Sequence, residues 1–112
     1  MDFAERAAHN EEIFRNINEK IEEGAERHQV VSMLPFHCEC GQLTCTETIE
    51  LEPSTYDEIA SHPLRFIVIP SHRIAEIERV VAEGDGYLVV EKLAEARAEI
   101  ERQHPRPRHQ KP

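Results

Sequence analysis

Three cysteines stand within eight residues, in the run Phe36-His37-Cys38-Glu39-Cys40-Gly41-Gln42-Leu43-Thr44-Cys45. Thiolate sulfur and imidazole nitrogen are the donors zinc prefers, arranged as a tetrahedron and needing no redox chemistry of the ion. Residues two apart on an extended segment face the same side, so Cys38 and Cys40 can present both sulfurs to one centre. Gly41 follows at once and can take a positive φ, turning the chain so that Cys45 returns to that centre. An odd number of cysteines would leave one thiol over from any disulfide, and three so close together are the mark of a metal site in a reducing compartment. The spacing predicts a structural Zn2+ on Cys38, Cys40 and Cys45, with one further ligand from elsewhere. Binding would also order a loop too polar to fold alone.

The candidates for that ligand are His37, His62, His72, Glu39 and Glu47. His37 and Glu39 alternate with the cysteines and should face away from the metal. A carboxylate such as Glu47 is a rarer partner than imidazole in a closed thiolate site. His62 precedes Pro63 at a helix end, where capping the last carbonyls is role enough. His72 lies just past an apolar strand stopped by Pro70, so a strand paired in the core could deliver it to a neighbouring loop. His72 is the expected fourth ligand, with His62 or a water as alternatives.

Other chemistries fit less well. An iron–sulfur cluster takes four cysteines, or two histidines in the Rieske arrangement. A nucleophilic cysteine needs a base and an orienting acid in space, not merely His37 beside Cys38 in sequence. A catalytic zinc keeps one position open for water, and three thiolates would make it a poor Lewis acid. Glu39 sits between two ligands like a general base, but its side chain should point to the opposite face. His9, His104 and His109 read as surface residues, and Tyr56, Phe66 and Tyr87 as core.

The string Cys38-x-Cys40-Gly41-x-x-x-Cys45 resembles the zinc motif that follows the catalytic domain of SET-type lysine methyltransferases. That resemblance implies three ligands from one loop and one from elsewhere, and no methyl transfer. Residues 12–93 also resemble a family of small uncharacterised proteins of high-GC Gram-positive bacteria. The resemblance rests on Phe14 to Ile21, Phe36-x-Cys38-x-Cys40-Gly41, Cys45, Ile49-x-Leu51, Tyr56, Pro63-x-Arg65-Phe66, Pro70-x-His72, Glu78-x-x-Val81 and Tyr87-x-Val89-Val90-x-Lys92. It implies no activity, but its Pro70-x-His72 unit falls on the histidine already chosen.

The elements that must position these residues are legible in outline. Residues 3–28 predict a helix, with Phe14, Ile17 and Ile21 on its buried face. Phe3, Ala7, Asn10, Phe14, Ile17 and Ile21 also follow the spacing of a coiled-coil seam, which suits self-association or a partner. Residues 48–51 alternate as a short strand. A short helix should start at Pro53-Ser54-Thr55, with Ser54 or Thr55 as N-cap and Asp57 and Glu58 in its first turn. Arg65 to Ile69 reads as a strand ended by Pro70. Over 77–91 the pattern predicts a hairpin turning at Asp85-Gly86. A helix over 73–83 competes, and a helical start running into a strand reconciles the two. Residues 93–102 read as helical and the tail as disordered.

The 112 residues suit one domain, and with 39% apolar residues and no Trp its core should be thin, a deficit a metal would offset. Net charge is −9, and the last eleven residues hold Arg102, Arg106, Arg108 and Lys111 with no acid. An acidic body repels phosphate backbones, which argues against nucleic acid. No run is long and apolar enough for a membrane span, and the acidic, polar N-terminus is unlike a secretion signal. The expectation is a cytoplasmic α+β protein: an N-terminal helix (1–28), a zinc-stabilised domain with one small antiparallel sheet (29–101) and a basic tail (102–112). The expected function is non-enzymatic, a binding or regulatory adaptor for a protein partner. The alternatives are a thiol redox sensor that releases zinc on oxidation and a zinc hydrolase. Exposure of the sulfurs would mark the first, and an open coordination position the second.

Overall fold

The structure, a computed structural model, describes residues 3–93, with side chains from Glu5 onward. It is α+β. A long helix α1 (Phe3–Arg27) is followed by strands β1 (Leu34–His37) and β2 (Thr48–Leu51), helix α2 (Pro53–Ala60), strand β3 (Arg65–Val68), a 3-10 turn at Pro70–His72, and strands β4 (Glu78–Gly84) and β5 (Tyr87–Lys92). The helix expected over 93–102 and the basic tail lie outside the described residues.

Instead of one sheet there are two, both antiparallel. β1 and β2 form a two-stranded ribbon, and β3, β5 and β4 form a second sheet in that order. The ribbon pairs Leu34 with Leu51 and His37 with Thr48, so it closes the base of the cysteine loop. Separation into two sheets follows from that loop. At Glu39 the chain turns aside, and its N–H donates to the Ile67 carbonyl of β3 at 2.7 Å.

α1 runs as expected and buries Phe14, with Ile21 packed against the core, but its inner face is rotated away from Ile17. Ala7, Ala8, Glu11, Phe14, Arg15, Asn18, Glu22 and Ala25 are buried, at the 3.6-residue period of a helix, while Ile17 is 43% exposed. The apolar residues alone suggest a face about one residue away from the true one. Polar side chains of the inner face find partners in the core, so hydrophobicity does not mark the buried stripe. Of the coiled-coil seam, Ala7 and Phe14 are buried within this fold and Asn10 donates to the Gly41 carbonyl at 2.8 Å. α1 ends in a Schellman arrangement, with Gln29 at φ 56° and the Val30 N–H returning to the Ala25 carbonyl at 2.8 Å.

Two other local expectations change. Helix α2 is capped by Glu52 without a side-chain bond, not by Ser54 or Thr55, and its first turn carries no acid. Pro53 at the first helical position supplies the preset φ that starts it. β4 begins at Glu78 with no α-helix before it, and a bulge between Val80 and Ala82 breaks its alternation, which is why helical spacing competed there. The turn falls at Asp85-Gly86 as expected, with Gly86 at φ 79°.

Beside α1 lies a buried charged cluster. The Lys92 ammonium donates to both Glu11 and Glu78, and all three side chains are fully buried. Burial pushes the Glu11 carboxyl up to about 8, with Lys92 opposing the shift and Glu78 adding to it.

Replacing Ile17 with Asp should change stability by no more than about 0.5 kcal/mol in urea denaturation, because the side chain faces solvent. Phe14→Ala should cost about 3–5 kcal/mol in the same assay. For Glu11, a folded pKa above the ordinary 4.5 means that the stability it contributes is complete at low pH and lost as pH rises towards 8. Between pH 5 and 8 stability should therefore fall as pH rises. Glu11→Gln should flatten that slope in melts recorded across the range.

Candidate metal centre

The ribbon β1–β2 delivers the cysteines. Cys38 leaves β1 with its N–H bonded to the Glu47 carbonyl at 2.9 Å, and the Cys45 N–H closes a turn on the Gln42 carbonyl at 3.0 Å. On the far side, β3 ends and the Pro70–His72 turn begins, with the His72 N–H donating to the Ile69 carbonyl at 2.8 Å. The His72 ring thereby reaches the loop. Its Nδ1 lies 3.6 Å from the Cys38 sulfur and 3.5 Å from that of Cys45. The donor atoms of Cys38, Cys40, Cys45 and His72 all lie within 4.8 Å of one another, a cluster able to hold a metal ion.

All three cysteines are buried and none is in a disulfide. The Ile69 N–H donates to the Cys38 sulfur at 3.2 Å, a contact that favours thiolate there. The thiols act on each other. The hydrogen bond from Cys38 draws Cys40 down to about 5, while that same contact and burial push Cys38 up. Cys45 is raised by burial. Three sulfurs this close favour one anion stabilised by its neighbours' protons, and a bound cation would let more than one ionise.

The alternation of the motif is realised in space. Glu39 points away from the sulfurs into the core and is fully buried. Its carboxylate accepts bonds from Tyr56 Oη at 2.5 Å, Asn18 Nδ2 at 3.1 Å and the Ile67 N–H at 3.1 Å, with the Arg15 guanidinium 3.9 Å away. His37 also turns from the sulfurs. Its ring stacks on Phe14 with centroids 4.0 Å apart. One ring nitrogen lies 2.6 Å from the Cys38 carbonyl and the other 2.9 Å from the Cys45 carbonyl. Each neutral tautomer donates to one of these two loop carbonyls, so the ring braces the loop through whichever nitrogen carries the proton. The side-chain carbonyl of Asn18 accepts the His37 N–H at 2.7 Å, and its amide donates to the His37 carbonyl at 2.8 Å, tying α1 to the entrance of the loop.

Gly41 has a different role from the one expected. Among the described residues positive φ occurs only at Gln29 and Gly86, so Gly41 does not serve as a left-handed turn. A Cβ there would stand 2.9 Å from the Ala7 Cβ and 3.1 Å from Ile74 Cδ1. The loop needs glycine because α1 and the segment after His72 press against it. His62, the alternative ligand, instead borders a surface groove with Thr55, Glu58 and Ile59.

Asn18, Arg15 and Tyr56 support the site, and sequence reasoning passed over the first two. The one available signal was an asparagine and an arginine placed among the apolar residues of a helix. Truncating the carboxylate would remove the buried acceptor shared by Tyr56 Oη, the Asn18 amide and the Ile67 N–H. Glu39→Ala should cost about 3–5 kcal/mol in urea denaturation, and Tyr56→Phe about 1.5–3 kcal/mol.

Comparison of the chain with protein-family models, curated proteins and solved structures found no match.

Proposed function

We propose that the protein is a small cytoplasmic binding module whose surface is held rigid by a structural zinc ion on Cys38, Cys40, Cys45 and His72. The observation that carries this reading is the sulfur–nitrogen spacing. Zinc bonds of about 2.3 Å to sulfur and 2.0–2.1 Å to nitrogen, at a tetrahedral angle, separate the two donors by about 3.5–3.6 Å. The His72 nitrogen stands 3.6 and 3.5 Å from two of the sulfurs. A softer ligand set of three thiolates and one imidazole also suits zinc better than magnesium or calcium.

Three features support a structural ion over the two alternatives. Cys38 and Cys40 are 0% exposed and Cys45 only 9%, whereas an oxidation sensor works through accessible thiolates. Four protein donors fill a tetrahedron, leaving no position for the water of a hydrolase. Glu39, the one acid between Cys38 and Cys45, is committed to the core and cannot reach a metal-bound water.

As a binding module, the chain would meet a protein partner. Its net charge of −9 opposes phosphate backbones. Among the described side chains of the seam, α1 keeps Ile17 exposed, and Leu43 stands exposed on the metal loop itself. Both are apolar contacts available to such a partner.

The purified protein should contain one zinc per chain, measured by elemental analysis. Structural zinc contributes an apparent ~10–16 kcal/mol in small domains, comparable to a whole domain's stability. Chelation should therefore abolish the cooperative melt and unfold at least residues 34–46. His72→Ala should weaken zinc binding strongly and His62→Ala should leave it unchanged. A melting curve that survives complete metal removal, or equal metal retention by both variants, would overturn the reading.

A further inference from the structure

We propose that the buried Glu11–Lys92–Glu78 cluster is a positioning device for His72, setting the geometry of the fourth metal ligand through the segment that follows it. The inference rests on the zinc reading of the Cys38, Cys40, Cys45 and His72 cluster and goes beyond it, since none of these three residues touches a ligand atom.

The connection runs through Glu78. One of its oxygens receives the Lys92 ammonium, and the other accepts the Ile74 N–H at 2.8 Å. Ile74 is two residues beyond His72. Its side chain packs with Ala7 of α1 and Ile77, and it abuts the backbone of Gly41 inside the metal loop. The Ile77 N–H returns to the Ile74 carbonyl at 3.1 Å, and the Leu93 N–H to the Ile77 carbonyl at 2.8 Å. The arm that carries His72 is thus held at both ends. Upstream, the His72 N–H is bonded to the Ile69 carbonyl where β3 stops. Downstream, Glu78 grips the Ile74 N–H, and Lys92 fixes Glu78 against Glu11 of α1.

Energetics point the same way. A buried ion pair is commonly no more stabilising than apolar side chains of the same volume, which leaves room for a role in fixing geometry. Here the geometry is specific. α1 supplies Glu11 to this cluster and, one residue earlier, Asn10 to the Gly41 carbonyl at 2.8 Å. The same helical turn therefore fixes both the cysteine loop and, through Lys92 and Glu78, the arm that brings the imidazole to it. Groups that orient metal ligands at one remove typically change metal affinity by about 10–100-fold when lost.

The test uses the full chain with cobalt(II) and zinc as probes. Zinc affinity is read by competition with a chelator, well below the melting temperature. The cobalt spectrum reports whether nitrogen remains in the coordination sphere. Glu78→Ala and Lys92→Met are compared with His72→Ala and with Leu51→Ala, a core truncation at the far end of the β1–β2 ribbon. The expected result is a loss of zinc affinity of about tenfold or more in Glu78→Ala and Lys92→Met. Their cobalt spectra should shift towards that of His72→Ala, while Leu51→Ala lowers the melting temperature and keeps both signals. Glu78→Gln, which retains an acceptor for Ile74, should fall between wild type and Glu78→Ala, and it carries the test if the alanine variant does not fold. Wild-type affinity and spectrum in the Glu78 and Lys92 variants would overturn the inference, as would an equal loss in Leu51→Ala. A wild-type protein that takes up neither metal at this cluster would instead overturn the zinc reading beneath it.

Discussion

The carboxylate of Glu39 is the constraint on which the rest of the structure turns. It lies between two cysteines in sequence and behind them in space, fully buried. Three donors converge on it from α1, α2 and β3: Asn18, Tyr56 and the Ile67 N–H. A buried carboxylate is costly unless its lone pairs are met, and each donor here is itself fixed by a separate element. Satisfying Glu39 therefore assembles the two helices and the larger sheet around the cysteine loop. Because Cys38 and Cys40 occupy the alternate positions, the same act turns both sulfurs to the face opposite Glu39, where they stay buried in the cluster with Cys45 and His72.

The interior is more polar than so small a domain would suggest. Arg15 lies over the Phe66 ring at 3.7 Å and donates to the Pro63 carbonyl at 2.6 Å, while Asn18 binds both backbone polar groups of His37. Lys92, Glu11 and Glu78 form a second charged group one turn earlier on the same buried face of α1, with the Lys92 ammonium 5.2 Å from the centre of that Phe66 ring. Apolar packing is left to a compact set that includes Phe14, Phe36, Tyr56, Phe66, Ile67, Val68 and Val90. Phe36 and Tyr56 stack there with centroids 4.6 Å apart. A core of this kind specifies geometry well, since few other arrangements would satisfy its polar groups. Its apolar area is small, and a metal that joins the loop to the end of β3 would make up much of the difference.

Two polar groups tie the proposed zinc centre to the rest of the fold. Glu39 governs the Cys-x-Cys pair and, through Ile67, the strand that leads to His72. Glu78 governs the segment that leaves His72. Both connect to α1, so the helix acts as the common frame against which loop and histidine are set. The site is in that sense built by the whole fold, although three of its four donors come from one short loop.

Sequence alone was sufficient where simple alternation or a turn dipeptide decided the outcome, although local rules misplaced the cap of α2 and the backbone of Gly41. The alternation of His37, Cys38, Glu39 and Cys40 places sulfurs on one face and the other two side chains on the opposite one, because successive residues of an extended segment face opposite ways. Strand β2 and the Asp85-Gly86 turn follow from equally local chemistry, and the position of His72 just beyond an apolar strand pointed to the fourth member of the cluster. Tertiary structure decided what depends on partners distant in the chain. Which face of α1 is buried was settled by Lys92, Pro63 and His37 receiving Glu11, Arg15 and Asn18, not by the apolar residues of the helix. The need for glycine at position 41 came from the approach of Ala7 and Ile74, not from its own φ. The absence of a helix before β4 reflects Glu78 turning back to the Ile74 N–H and inward to Lys92, contacts that no periodicity encodes.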